Sequence, residues 1–331
     1  MIRVICSKLN NPYYNLALEE MLFDVCENTS DFILYLWQND NTIVIGRNQN
    51  VFIECNIKYA LSSGTKIVRR MTGGGAVFHD LGNLNYTMIV PKDCYVKEQF
   101  GNIIIKALNE LGIKAELDGR NDIIVDGLKC SGNAYYSSKN TILHHGTMMV
   151  DVDLKKMEQL LSTSKSKISR RGIKSVHSRV KNLREINEKI TIELLKAKII
   201  STFCKEFFFI DEIYYGATKE ELSRLTEIQK KYESKDWNYN QIAEYDISIE
   251  ENYEWGNIEL KCELSGTKIT NFLIFSDSLY PELIDSVVKH LQNSDLSIFN
   301  PQNFFAYDAV QIEIVQDIEL LYNKILKMID V

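Results

Sequence analysis

Several things are scarce in this sequence. Only four prolines occur in 331 residues and no low-complexity tract is present, which predicts an ordered globular protein. No run approaches the 18 or so apolar residues a membrane helix needs, so no membrane span is expected. The first ten residues, MIRVICSKLN, lack the apolar core of a signal peptide. The seven cysteines are scattered with no CxxC pair, which disfavours a disulfide framework or a zinc site and predicts a reducing, cytoplasmic setting. A net charge of −7 argues against general nucleic-acid binding. What remains is an ordinary soluble composition, 45% hydrophobic and 25% charged, long enough for one large domain and a small one.

Local patterns divide the chain. Asn11-Pro12 reads as an N-cap followed by proline in the first helical turn, and the apolar positions that follow predict an amphipathic helix over 12–27. Strands are predicted around 31–37, 42–46, 66–69, 76–79, 84–90, 122–126, 129–135 and 145–151. Helices are predicted over 98–111, ending at Gly112, and over 154–161, 191–206 and 219–232. The acidic stretch 243–254, AEYDISIEENYE, reads as a linker. Two or three short strands over 258–275 and helices over 281–292 and 309–330 follow. The expected organisation is a catalytic domain at 1–245, a linker at 246–253 and a small α+β domain at 254–331.

The segment 69–80, RRMTGGGAVFHD, is the least ordinary. Consecutive glycines cost backbone entropy, but they let N–H groups approach a ligand with no Cβ in the way. Successive N–H groups can form a concave anion site, and Arg70 adds a fork of donors suited to carboxylate or phosphate. The pattern is neither GxxxxGK[ST] nor GxGxxG. The alternative is a plain flexible hairpin. Polar clusters beside other short strands, at 46–50, 82–86, 119–122, 129–134 and 144–147, suggest a cleft on a sheet face.

RRMTGGGAVFHDLGNLNYT, GRNDIIVDGLKCSGNAYY and HHGTMM, in this order, resemble the lipoate–protein ligase A family. NLALEE and GRNQN upstream extend the resemblance, as do GIKSVHSRVKNL, KYESKDWNYNQ, WGNIEL and FSDSLYP downstream. The resemblance implies an α/β (α+β) fold: a large mixed-sheet domain of the biotin/lipoate ligase type with a small C-terminal α+β domain that rotates between steps. It implies an ATP-dependent ligase with lipoate as substrate and Mg²⁺ as cofactor. Lipoate is activated to lipoyl-AMP, and the acyl group passes to a lysine of an apo lipoyl domain, in E2 subunits of 2-oxoacid dehydrogenases or in glycine cleavage H protein. No nucleic acid or membrane partner is implied.

By the same resemblance Lys129 is the catalytic residue, bridging the attacking carboxylate and the α-phosphate. Arg70, Gly75, Ala76, Val77, Phe78, Asn83, Asp122 and Lys129 are expected at ATP and the adenylate, with Asp122 also at the metal. Arg70, Gly73, Gly74, His79, Lys129, Ala134, His145, Leu16, Leu18 and Trp37 are expected at lipoate. Asn83 and Asp122 are alternatively turn residues. Leu16, Leu18, Trp37 and Ala134 are equally explicable as core. His79 and His145 read better as pocket-lining groups than as bases. His144-His145 is not a zinc pair, because neighbours on a strand face opposite ways.

Residues 165–184 hold eight Lys or Arg and no acid. The segment is either a solvated basic face or a loop that closes over the adenylate and steers an acidic partner. In the steering case, charge reversal at Arg170 and Arg171 weakens transfer more than adenylation. Two rivals stand beside the ligase: an octanoyl or lipoyl transferase working through a thioester on Cys130, and a non-catalytic lipoate or nucleotide sensor. A biotin ligase is disfavoured because GRNQN is not its GRGRxG pattern.

Overall fold

The structure is a computed structural model that describes residues 2–119, 121–161, 180–207, 212–214, 216–217, 221–239, 247–265, 268–292 and 308–328. Among these the strands are β1 (Ile2–Cys6), β2 (Phe32–Trp37), β3 (Thr42–Ile45), β4 (Lys66–Arg69), β5 (Val77–His79), β6 (Asn83–Pro91), β7 (Ala115–Asp118), β8 (Asp122–Val125), β9 (Leu128–Ser137), β10 (Thr141–Met149), β11 (Glu212–Tyr214), β12 (Ile247–Tyr253), β13 (Gly256–Ser265) and β14 (Lys268–Ser276). The α-helices are α1 (Pro12–Thr29), α2 (Val51–Glu54), α3 (Ile57–Ser62), α4 (Lys97–Asn109), α5 (Leu154–Leu160), α6 (Ile192–Phe207), α7 (Leu222–Glu233), α8 (Lys235–Tyr239), α9 (Pro281–Leu291) and α10 (Ala309–Met328).

The main sheet runs β11-β1-β2-β6-β10-β9-β8-β7, parallel where β1 meets β11 and β2 and antiparallel from β2 to β7. A smaller sheet, β4-β3-β5, presents the glycine run between its outer strands. Helices α4 and α6 cover one face of the main sheet with Phe100, Ile103, Ile104, Leu195, Ile199 and Phe203. Helix α1 lies on the other face. Asn11 caps it by accepting the Tyr13 amide at 3.0 Å, and Pro12 starts its first turn. Its Leu16, Leu18 and Leu22 are fully buried; each such leucine stabilises the fold by about 1.5–3 kcal/mol.

The acidic stretch read as a linker is in part a strand, which corrects the sequence reading. Residues Ile247–Tyr253 form β12 and pair antiparallel with β13. Their burial alternates, with Ile247, Ile249, Glu251 and Tyr253 on the inner side. Glutamates on both faces obscure that period of two in the sequence. The sheet β12-β13-β14 packs under α9 and α10 around a separate core that includes Trp255, Phe272, Ile284 and Ile318. The sequence pattern does not predict β1, β7, α2, α3, α8 or β11.

The two cores meet at the glycine run. Gly74 donates its amide to the Ser278 carbonyl at 3.0 Å, and Ser276 donates to the Asn48 carbonyl at 2.8 Å. Asp285 of α9 pairs with Arg47 at 2.9 Å and accepts from Asn48 at 2.8 Å. Glu282 accepts the Ser137 amide of β9 at 2.6 Å.

Candidate active site

Each of the three glycines has its own reason. A Cβ on Gly73 would collide with the Ser278 carbonyl. Gly74 has φ +85°, a left-handed conformation that favours glycine, and its carbonyl lies where a side chain on Gly46 would be. Gly75 is the one with open space around it and faces a cavity.

The two arginines before the run divide their work. Arg69 is 1% exposed and structural: its guanidinium donates to the carbonyls of Gly46, Arg47, Gln49, Trp237 and Asn238, tying the 46–49 loop to α8. Arg70 holds the glycine run itself. Its Nη2 donates to the Gly73 carbonyl at 2.5 Å and the Gly75 carbonyl at 2.9 Å, its Nε to Thr72 Oγ1 at 2.9 Å, and its Nη1 to the Val44 carbonyl at 3.2 Å. Burial lowers its pKa to about 10, against the opposing pull of Glu19. Arg70 thus borders the cavity while gripping the loop that forms its rim.

Lys129 enters from β9, opposite the irregularity between Ile123 and Ile124 of β8. Its ammonium lies over Gly132 and 2.8 Å from Asp122 Oδ1, an ion pair without directed hydrogen-bond geometry. Cys130, the next residue, is buried in the core against the Ile123 carbonyl, and burial pushes its thiol up to about 12. No cysteine lines the cavity among the described residues.

The adjacent histidines behave as strand neighbours must. His145 lines the cavity, bonded to Thr72 Oγ1 at 2.9 Å and Glu19 Oε1 at 2.8 Å. His144 faces the other way and meets Asn133 Oδ1 at 2.9 Å and the Tyr95 hydroxyl at 3.3 Å. His79 also borders the cavity, and burial, helped by the charge of Arg70, lowers its pKa to about 3.

One cavity therefore brings together Leu16, Trp37, Arg70, Gly74, Gly75, Ala76, Val77, His79, Lys129, Ala134 and His145. Its wall is apolar at Leu16, Trp37, Val44 and Ala134, and polar at Lys129 and the glycine rim. Five expected residues lie off it. Gly73 faces Ser278, Leu18 and Phe78 are core, Asn83 donates to Asn85 at 2.9 Å, and Asp122 sits behind Lys129. Val44, Asn85, Asn121, Gly132, Asn133, Gly146 and Thr147 also line the cavity and are not among the expected residues. The polar clusters beside the strands were the signal for all of them but Val44, which sits in an apolar strand. Arg120, Arg170 and Arg171 lie outside the described residues, as does most of the basic segment 165–184.

For a divalent cation, the described residues hold no group of three or more His, Cys, Asp or Glu side chains. Mg²⁺ commonly takes only one or two protein carboxylates and draws its other ligands from water and substrate phosphates. Asp122, the carboxylate expected at a metal, lies behind Lys129 and off the cavity lining.

Comparison with known proteins gives a consistent picture. Residues 11–204 match the lipoyl protein ligase A/B catalytic domain, and residues 243–307 the C-terminal domain of bacterial lipoate protein ligases. A lipoate-protein ligase A from Psychrobacter cryohalolentis is 39% identical over 298 residues, 88% of this chain and 87% of that protein. The crystal structure of Plasmodium falciparum LipL1 in complex with lipoate superposes with a TM-score of 0.82 at 29% identity, covering 97% of this chain and all of that one. A bipartite lipoate protein ligase from Thermoplasma acidophilum, studied with its E2 lipoyl domain, gives 0.65 at 25% identity over 74% of this chain and 98% of that one. A lipoate-protein ligase A bound with ATP gives 0.61 at 25% identity over 72% and 99%.

Proposed function

The chain belongs to the lipoyl protein ligase A/B family and is a lipoate–protein ligase using lipoate and ATP, and from that premise we propose how its own residues divide the reaction. One observation carries the reading: Lys129, the Arg70-held glycine rim and an apolar wall containing Leu16, Trp37 and Ala134 all border a single cavity. The apolar wall takes the acyl chain, leaving the lipoate carboxylate beside the ammonium.

In the first step a carboxylate oxygen attacks the α-phosphorus of ATP. The new P–O bond forms as the bond to the β-phosphate oxygen breaks, and pyrophosphate leaves. Lys129 lies between two anions that repel each other; its charge offsets that repulsion and stabilises the charge of the transition state. Asp122 holds the ammonium in place and is the residue that would hold Mg²⁺, which supplies charge neutralisation at the phosphates. The backbone over Gly75–Phe78 reads the nucleotide, supported by the open space at Gly75.

In the second step the amine of a lysine on an apo lipoyl domain attacks the acyl carbonyl. The amide C–N bond forms, the bond to AMP breaks, and the amine loses a proton. AMP is a good enough leaving group that His79 and His145 act by shaping the pocket. E2 lipoyl domains and glycine cleavage H protein are the acceptors in this reading, in a reducing cytoplasm that suits the seven unpaired cysteines.

Lipoate-dependent ATP–pyrophosphate exchange tests the assignment. Wild type is expected to exchange, and Lys129→Ala to lose at least about a hundredfold, the scale of removing one transition-state charge donor. Exchange by Lys129→Ala at the wild-type rate would refute the role of the ammonium.

A further inference from the structure

We propose that Glu19 is the positioning residue of the acyl-substrate pocket, a single buried carboxylate on which two hydrogen-bond chains converge, one holding Arg70 and the other holding Trp37. The proposal rests on the ligase reading of that pocket and adds a residue outside its lining.

Glu19 sits on α1, one turn after Asn15, and is 1% exposed. A carboxylate that deep costs several kcal/mol unless donors surround it. Its Oε1 takes two, the Thr87 hydroxyl at 2.6 Å and His145 Nδ1 at 2.8 Å, while Oε2 has no partner among the described residues.

The first chain runs to the anion end of the pocket. Arg70 Nε can only donate, so Thr72 Oγ1 accepts from it at 2.9 Å. The Thr72 proton then has two acceptors within reach, His145 Nε2 at 2.9 Å and the Gly73 carbonyl at 3.5 Å, and takes the nearer. That leaves the imidazole proton on Nδ1, directed at Glu19. The second chain runs to the apolar wall. Trp37 Nε1 donates to Thr87 Oγ1 at 3.0 Å, and Thr87 passes its own proton to Glu19. Every donor points the same way, and the one acceptor at the end is Glu19.

Arg70, His145 and Trp37 border the cavity and Glu19 does not. It therefore acts on lipoate through them, setting the rim that receives the carboxylate and the indole that flanks the chain from one fixed point. Such linkage makes the two ends of the acyl site mutually dependent.

The test uses the full chain in three variants, read by kinetics and by ¹⁵N-histidine NMR. In wild type His145 should carry its proton on Nδ1 and none on Nε2. Glu19→Ala should lose that tautomer preference and raise KM for lipoate at least tenfold, with KM for ATP changed less than threefold. Glu19→Gln keeps an oxygen acceptor at the Oε1 position and should keep KM for lipoate within about threefold of wild type. Thr87→Val cuts only the second chain: KM for lipoate should rise several-fold while the His145 tautomer stays as in wild type. If Glu19→Ala does not fold, the Gln and Thr87 variants decide. A proton on Nε2 in wild type, or lipoate and ATP KM values unmoved while only the active fraction falls, would overturn the proposal. Wild type that neither binds lipoate nor exchanges pyrophosphate would sink the ligase reading instead, and the tautomer would still decide whether Glu19 holds His145.

Discussion

Gly74 donates its amide to the carbonyl of Ser278 at 3.0 Å, so the rim of the cavity and the small C-terminal domain share a hydrogen bond. The glycine run at once borders the cavity and takes part in a domain contact.

The neighbouring glycines should separate those roles. Gly73→Ala would press a methyl group into the Ser278 carbonyl. It is expected to cost about 1–3 kcal/mol, the usual penalty of overpacking, seen as a lower denaturation midpoint. Gly75→Ala meets open space and should stay within about 0.5 kcal/mol of wild type. It should nevertheless cut pyrophosphate exchange at least tenfold, because its methyl group enters the cavity. Equal loss of stability in both variants would contradict this division.

Two leucines of α1 make a similar pair. Leu16 lines the cavity and Leu18 does not, although both are fully buried. Either alanine variant should lose about 2–5 kcal/mol. Only Leu16→Ala should also change the relative use of octanoate and lipoate, measured as kcat/KM on each. A shifted preference in Leu18→Ala would place the acyl chain elsewhere.

Cys130 should be dispensable for chemistry. Its thiol is buried in the core and held protonated, with a pKa of about 12. Cys130→Ser should lose about 1–3 kcal/mol of stability, because a hydroxyl needs a partner there. Activity per folded molecule should be unchanged. An acyl group found on Cys130 by peptide mass spectrometry during turnover would restore the thioester route.

Acid should destabilise the protein through two buried histidines. Burial holds His79 and His144 at about 3, against about 6.5 in an unfolded chain. Between those values the unfolded state binds protons that the native state refuses, so stability is present above about 6.5 and falls as pH falls. Each histidine should cost about 2 kcal/mol by pH 5, at about 1.4 kcal/mol per pH unit below 6.5. Denaturant midpoints from pH 7.5 to 5 should decline, and the decline should be shallower in His144→Gln. Burial raises Glu282 to about 7 and offsets part of the decline in wild type and variant alike, so equal declines in the two proteins would mean that His144 accepts a proton in the folded state.

Much of this was legible in the sequence because the signals were local. The cap at Asn11, the strand 42–45 ending at Gly46 and the strand-bound lysine of KCSGNA all depend on nearby residues, and the structure has them where the pattern predicts. The cavity-lining asparagines were flagged only as polar clusters, since an asparagine at a strand end looks the same whether it faces a ligand or closes a turn. What distinguishes Leu16 from Leu18, or Arg70 from Arg69, is long-range packing that no window reveals. Gly73 looked like a ligand glycine because its reason, Ser278, lies in the other domain. The strand β12 was hidden by glutamates on both faces.

The most direct measurement is the intact mass of an apo lipoyl domain after incubation with lipoate, ATP and either wild type or Lys129→Ala. The account predicts a single lipoyl addition with wild type, placed on one lysine, and none with the variant over the same time. Equal addition by both proteins would contradict the role given to Lys129, and with it the central assignment of the cavity.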